Sequence, residues 1–143
     1  MSSVKSQFIV IVGCGRLGSY IAGILSRDGH SVVVIDAKKS AFDALSPEFS
    51  GFQIEGDATE LGILREAKAE KADILIASTD NDNVNLMVAQ IAKQFFNIRK
   101  VIARIYEIKR EMLCKNRGIE TVCPSSVVGD IFLNFLSDSL ERN

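Results

Sequence analysis

Phe8-Ile9-Val10-Ile11-Val12-Gly13-Cys14-Gly15-Arg16-Leu17-Gly18 opens the most informative part of this chain, and Ser31-Val32-Val33-Val34-Ile35-Asp36 closes it after a helical stretch. An apolar β-branched run stops at a glycine turn, an amphipathic segment follows, and a second apolar run ends in a carboxylate. Gly13 permits the tight turn out of the strand, Gly15 lets backbone approach a pyrophosphate, and Gly18 lets the helix lie against the sheet. The helix N-terminus adds free N–H groups and a partial positive charge at the same place. Asp36 falls close to the ~20-residue offset at which a carboxylate takes ribose hydroxyls. Glycine is common, so G-x-G-x-x-G alone is a weak pattern. The strand before it, the helix after it and the acid at the end of the next strand make it a dinucleotide-type nucleotide site.

At 143 residues the chain reads as one domain. A hydrophobic fraction of 47% is ample for a buried core. A net charge of −1 offers no basic footprint for nucleic acid, so none is expected as a partner. The apolar runs have strand length, far short of the ~20 residues of a membrane span. Met1 to Gln7 is polar and lacks a signal-peptide pattern, so a cytosolic chain is expected. Cys14, Cys114 and Cys123 form no C-x-x-C pair, and neither a disulfide framework nor a metal site is expected. Cys14 lies near a helix N-terminus, an environment that lowers a thiol pKa. The plainer role, a small residue that fits the turn, is preferred.

Outward from the opening unit, strands and helices alternate. Leu17, Ile21, Ile24 and Leu25 recur at helical spacing up to Gly29, and His30 is a turn residue before the second strand. A short helix through Phe42 and Leu45 breaks at Pro47. Phe52 to Glu55 is a third strand, and Thr59 is placed to cap a helix over Glu60 to Ala67. Ala72 to Asp80 holds a fourth strand that runs into a polar turn, and Val84, Met87, Val88, Ile91 and Phe95 mark a long helix. Val101 to Arg104 is a fifth strand, Glu107 to Asn116 a charged helix, and Glu120 to Val122 a weak sixth strand before a last helix. The expectation is a Rossmann-like, doubly wound, parallel six-stranded sheet with helices on both faces.

In such a sheet the ligand lies beyond the carboxyl ends of the strands. Those ends supply Gly13 to Gly18, then Asp36 with Ala37 and Lys38, then Asp57 and Ala58, then Ser78, Thr79 and Asp80, and finally Arg104. Asp36 taking both ribose hydroxyls leaves no room for a 2′-phosphate, which disfavours NADP despite the nearby Lys38. Asp57 has two readings, contact with an adenine amino group or helix capping with Thr59. Thr79 and Asp80 are each placed to start the long helix as well as to face a ligand. Arg104 ends a buried strand and needs a partner, either ligand phosphates or a carboxylate. Arg16 is placed to reach phosphates or a neighbouring subunit.

Together these residues resemble the RCK domain family, also called KTN or TrkA N-terminal domains, cytosolic nucleotide-sensing regulators of bacterial potassium uptake systems and channels. The resemblance rests on Ile11 to Gly18, Val34-Ile35-Asp36, Gly56-Asp57-Ala58-Thr59, Ser78-Thr79-Asp80 with Asn83 and Asn85, and Ile102 to Tyr106. It implies binding of NAD(H) or an adenine nucleotide (AMP, ADP or ATP) without turnover. Gly13, Cys14, Gly15, Arg16, Leu17 and Gly18 would surround the phosphates, and Asp36, Ala37 and Lys38 the ribose. Asp57 and Ala58 would bound the adenine, and Ser78, Thr79, Asp80, Asn83 and Arg104 would close the pocket. It also implies a single N-lobe over residues 1–143, without the smaller C-terminal lobe of many members. A potassium transporter or channel subunit at the inner face of the membrane would be the partner. Ser125 follows Pro124 where some members carry an acid, so no metal contact is expected there.

The last helix has an apolar stripe of Val128, Ile131, Phe132, Phe135, Leu136 and Leu140, with Leu133 beside it. The stripe covers more than one face, which points to contact with another subunit, a homodimer or higher homo-oligomer, rather than to packing on its own sheet; the resemblance implies pairing through this C-terminal crossover helix. The other functional class is a small NAD-dependent oxidoreductase. A hydride transfer generally needs an acid or base beside the nicotinamide. Ile24 follows Tyr20, and Arg110 follows Tyr106, where a Y-x-x-x-K pair would place lysine, and the single histidine is far from the site. The regulatory, non-catalytic reading is therefore preferred.

Overall fold

The computed structural model describes residues 5–141. Six parallel strands lie in the order β3-β2-β1-β4-β5-β6. They are β1 (Phe8–Val12), β2 (Ser31–Asp36), β3 (Phe52–Glu55), β4 (Ile74–Ala77), β5 (Lys100–Arg104) and β6 (Glu120–Val122). The helices between them are α1 (Arg16–Arg27), α2 (Leu61–Glu66), α3 (Asp82–Gln90) and α4 (Ile108–Lys115), and α5 (Pro124–Glu141) follows β6. The order reverses between β1 and β4, so the two chains of connections leave β1 in opposite directions and open a crevice there.

Successive strand residues face opposite sides of the sheet. Val10, Val12, Val33, Ile35, Leu75 and Ala77 pack with Leu64, Val88, Ala89 and Ala92 from α2 and α3. Ile9, Ile11, Val32 and Val34 pack on the other face with Ala22, Phe42 and the flanks of Ile21 and Leu25. Both faces of the central strands are thus covered, which is why their sequences are apolar throughout rather than alternating.

Several local expectations change. Small residues (Gly18, Ser19, Ala22, Ser26) form the buried line of α1, while Leu17 is half exposed. The segment through Phe42 is a 3-10 turn, Lys39–Ala44, not an α-helix. The buried face of α3 is Asn85, Val88 and Ala89, and Met87 and Phe95 point outward. Phe95 belongs to a π-helical extension, Ile91–Phe95, where it meets Phe96 edge-on and lies under Arg65. Leaving the sheet, α5 is exposed along 130–140, with Phe135 at 82%. Packing on its own sheet is therefore not what its apolar stripe does.

The close approach of α1 is set by Gly18, where an added Cβ would lie 1.9 Å from the Gly13 carbonyl oxygen. Backbone cannot yield there without moving the glycine turn. Gly18→Ala is expected to lower stability by about 3 kcal/mol, read as a lower urea midpoint; an unchanged midpoint would contradict this packing.

Candidate functional site

At the carboxyl edge a cleft of about 450 Å³ is lined by Gly13, Gly15, Asp36, Ala37, Lys38, Asp57, Ala58, Ser78, Thr79, Asp80 and Arg104. Val12, Ile35, Ala41, Gly56, Asn81 and Val84 complete the lining. A larger cavity of about 560 Å³ opens at the opposite edge beside Phe8, His30 and Phe52. No residue of the glycine turn after β1 lines that cavity, so the smaller cleft is the candidate site.

The cleft is built around the first turn. Gly13 takes φ +106° and donates its N–H to the Ile35 carbonyl at 2.8 Å, and a Cβ on it would press on the Ser78–Thr79 backbone at 2.9 Å. Among the described residues nothing lies within 4 Å of where a Cβ on Gly15 would stand. That open side, just ahead of α1, is room for an anion against backbone N–H groups. Ser78 turns its buried hydroxyl to the Val12 carbonyl at 3.2 Å and so holds β4 to the same turn.

Asp36 does more than face the cleft. One carboxylate oxygen accepts the Cys14 N–H at 2.8 Å and the other accepts the Lys38 N–H at 2.8 Å. The side chain therefore stitches the glycine turn to the turn after β2. A carboxylate has about four lone-pair positions, so acceptor capacity remains for a ligand hydroxyl.

Asp57 accepts both the N–H and the hydroxyl of Thr59, at 2.9 and 2.7 Å, and these bonds hold its carboxyl below the usual range. Thr59 is spent in this turn and does not cap α2, whose preceding residue is Glu60 with no side-chain cap. Neither Thr79 nor Asp80 caps α3. Asn81 does so, its side-chain oxygen accepting the Val84 N–H at 3.1 Å. Asn at that offset from the first turn is a readable cap signal.

Among the described residues Arg104 has no carboxylate partner. Nη2 donates to the Thr79 carbonyl at 2.8 Å, the guanidinium sits 4.9 Å from the Tyr106 ring centre, and Nε is buried with no partner among the described residues. The fully buried Asn85 bridges the same two strand ends. Its amide nitrogen donates to the carbonyls of Thr79 and Arg104 at 3.0 and 2.8 Å, and its oxygen accepts the Thr79 N–H and hydroxyl at 3.0 and 2.6 Å.

Not every expected residue reaches the cleft. Cys14 is buried behind the turn, Gly18 lies beneath it, and Arg16 and Leu17 are on the outer side of α1. Asn83 accepts a hydrogen bond from Arg110 in a separate depression with Asp82 and Glu107. Residues two apart on a helix face away from one another, so Asn85 points in where Asn83 points out. Asp82 holds the start of α4, accepting the Tyr106 and Glu107 N–H groups at 2.8 and 3.0 Å.

The Cys14 thiol does not have the lowered pKa that a helix N-terminus can give. Burial, with the Asp36 charge adding to it, pushes the thiol up from 9.0 to about 11. The folded protein then keeps a proton that the unfolded chain has released. The resulting contribution to stability is full below pH 9 and is lost as pH rises toward about 11. Stability of the parent should fall across this window more steeply than that of Cys14→Ala, as read by urea unfolding; parallel curves would contradict the assigned burial.

The TrkA-N domain family model matches residues 9–125. The chain is 37% identical over 131 residues to the Trk system potassium uptake protein TrkA of Streptomyces coelicolor, covering 92% of this chain and 59% of that protein. It is 33% identical over 116 residues to a TrkA homolog of Methanothermobacter thermautotrophicus, covering 81% and 53%. The chain thus spans little more than half the length of these curated relatives. Among solved structures, the TrkA-N domain of the inner membrane protein ybaL from Escherichia coli superposes with a TM-score of 0.81 at 23% identity, covering 92% of this chain and 98% of that one. The GsuK channel bound to NAD gives 0.80 at 24% identity, covering 97% and 25%. The AMP-bound Kef C-terminal domain of Shewanella denitrificans gives 0.71 at 21%, covering 95% and 82%. At these identities the structures speak to the fold alone. The family model and the TrkA relatives do more: the chain belongs to the TrkA-N domain family.

Proposed function

We propose that this chain is a non-catalytic regulatory domain that binds NAD(H) or an adenine nucleotide and controls potassium transport through a membrane partner. The observation that carries the reading is the open side of Gly15 between Asp36 and Arg104. The strand order puts a row of different chemistries along one edge. Adenine would lie by Asp57 and Ala58, ribose at Asp36, and phosphates on the turn from Gly13 to Gly18. Groups beyond the first phosphate would reach Ser78, Thr79, Asp80 and Arg104. Arg16, Leu17 and Cys14 would act from outside the cleft, by shaping the turn. The carboxylate of Asp36 disfavours the 2′-phosphate of NADP.

Potassium uptake is the stated role of the TrkA relatives, and NAD and AMP are the ligands named for two neighbours in fold. These support the reading of the same cleft here. A role without chemistry fits the placement of the single histidine and the two tyrosines, although the acids Asp36, Asp57 and Asp80 do line the cleft. His30 accepts the Gln7 N–H at 3.0 Å at the far edge of the sheet, Tyr20 is exposed on α1, and Tyr106 lies beneath the Arg104 guanidinium. No observation favours the oxidoreductase alternative. A ligand would act by binding two conformations with different affinity, and the difference would pass to the transporter from the cytoplasmic side.

The second copy of this chain would seat on α5. Val128, Ile131, Phe132, Phe135 and Leu136 are all largely exposed there, and α4 adds Ile108, Met112 and Leu113 nearby in sequence. A monomer rarely presents so much apolar surface to water.

Calorimetric titration of the full chain with AMP, ADP, ATP, NADH and NADPH should show binding to at least one of the first four and weaker binding of NADPH than of NADH. No heat from any of them would remove the proposed role. For the interface, Phe135→Asp is expected to convert a dimer to a monomer in light scattering with the fold retained, whereas a parent that is monomeric at high concentration would contradict the assignment.

A further inference from the structure

The buried face of α3 is apolar except at Asn85. Among the described residues it is the one polar side chain with no exposure at all. A buried amide is costly unless its donors and acceptors are paired. Here they are, and the partners are confined to one place: every bond goes to Thr79 or to the Arg104 carbonyl. None goes to the rest of α3 or to the sheet interior. The amide therefore fixes the ends of β4 and β5 relative to each other.

Its effect extends to the guanidinium. The Thr79 carbonyl that accepts from Asn85 at 3.0 Å also accepts from Arg104 Nη2 at 2.8 Å. The Tyr106 ring centre lies 4.9 Å from the guanidinium carbon, within cation–π reach. Held in this way, Arg104 lines the cleft and, among the described residues, its buried Nε–H has no partner. A planar guanidinium with a donor to spare is suited to an oxyanion. Its strand end lies two strands from β1, about 10 Å from the glycine turn. A first phosphate seated on that turn leaves Arg104 to whatever the ligand carries beyond it.

We propose that Asn85 is a positioning residue that holds Thr79 and Arg104 as a subsite for the part of a nucleotide beyond its first phosphate, so that the cleft prefers extended ligands such as a nucleoside diphosphate or dinucleotide over a monophosphate. The proposal rests on the nucleotide reading of the cleft and sharpens it. Asn85 touches no ligand; it acts through Arg104.

The test compares AMP with ADP by calorimetry on the full chain. The parent is expected to bind ADP more tightly than AMP. Asn85→Ser should weaken ADP by about tenfold more than it weakens AMP, the scale of one charge-assisted hydrogen bond, and Arg104→Gln should do the same. A parent that binds AMP at least as tightly as ADP would overturn the proposal, and so would equal weakening of both ligands in Asn85→Ser, the mark of a merely structural role. Should Asn85→Ser fail to fold, Arg104→Gln decides: loss of the ADP preference supports the subsite, and an unchanged preference overturns it. A parent that binds none of AMP, ADP, ATP and NADH contradicts the proposed function itself.

Discussion

The hydrogen bond from the Cys14 N–H to the Asp36 carboxylate, 2.8 Å long, is the constraint on which the cleft depends. It joins the first turn to the end of the second strand and fixes the distance between an anion-sized opening at Gly15 and a carboxylate. The Gly13 N–H to the Ile35 carbonyl reinforces the joint from below, and the Lys38 N–H closes the other side of the carboxylate. Gly18 lets α1 come in behind the turn so closely that even a methyl group would strike the Gly13 carbonyl. Backbone, a carboxylate and a helix end are thereby held together with little side-chain freedom to lose on binding.

The other half of the cleft is held by a different device. β4 runs into a polar turn beyond the sheet ladder, and on its β4 side the end of β5 is also past the last ladder pair, Ala77 with Ala103, so backbone groups there need partners. Asn85 supplies them from the helix above, and Arg104 shares one of the same carbonyls. Asp82 extends the same logic one turn further, holding the start of α4 by two backbone N–H groups. Changes at the cleft thus have a covalently short, hydrogen-bonded route to α4 and the exposed apolar residues on it.

Much of this was legible in the residues. The β-branched runs, the glycines and the alternation of strand with helix are local signals, and the parallel sheet with its switch beside β1 follows from them. The line of cleft residues was legible too, because strand ends are fixed once the strands are. What the sequence could not show was which way a polar side chain turns after its strand ends. Asp36 binds backbone as well as facing the cleft, Thr59 turns back to Asp57 instead of forward to α2, and Asn81 rather than Thr79 or Asp80 caps α3. The helix faces shifted for a related reason: α1 approaches the sheet through Gly18, Ala22 and Ser26, and small residues leave no hydrophobic trace in a periodicity. Asn85 and Asn83 look alike in sequence, and only the rotation of α3 separates a buried bridge from a surface contact.

The central claim is that one carboxylate serves both the turn and the ligand. The most direct measurement is the affinity of Asp36→Ala for AMP, set beside that of the parent. The account predicts at least about tenfold weaker binding, with the fold retained in circular dichroism. Affinity equal to the parent's would contradict it.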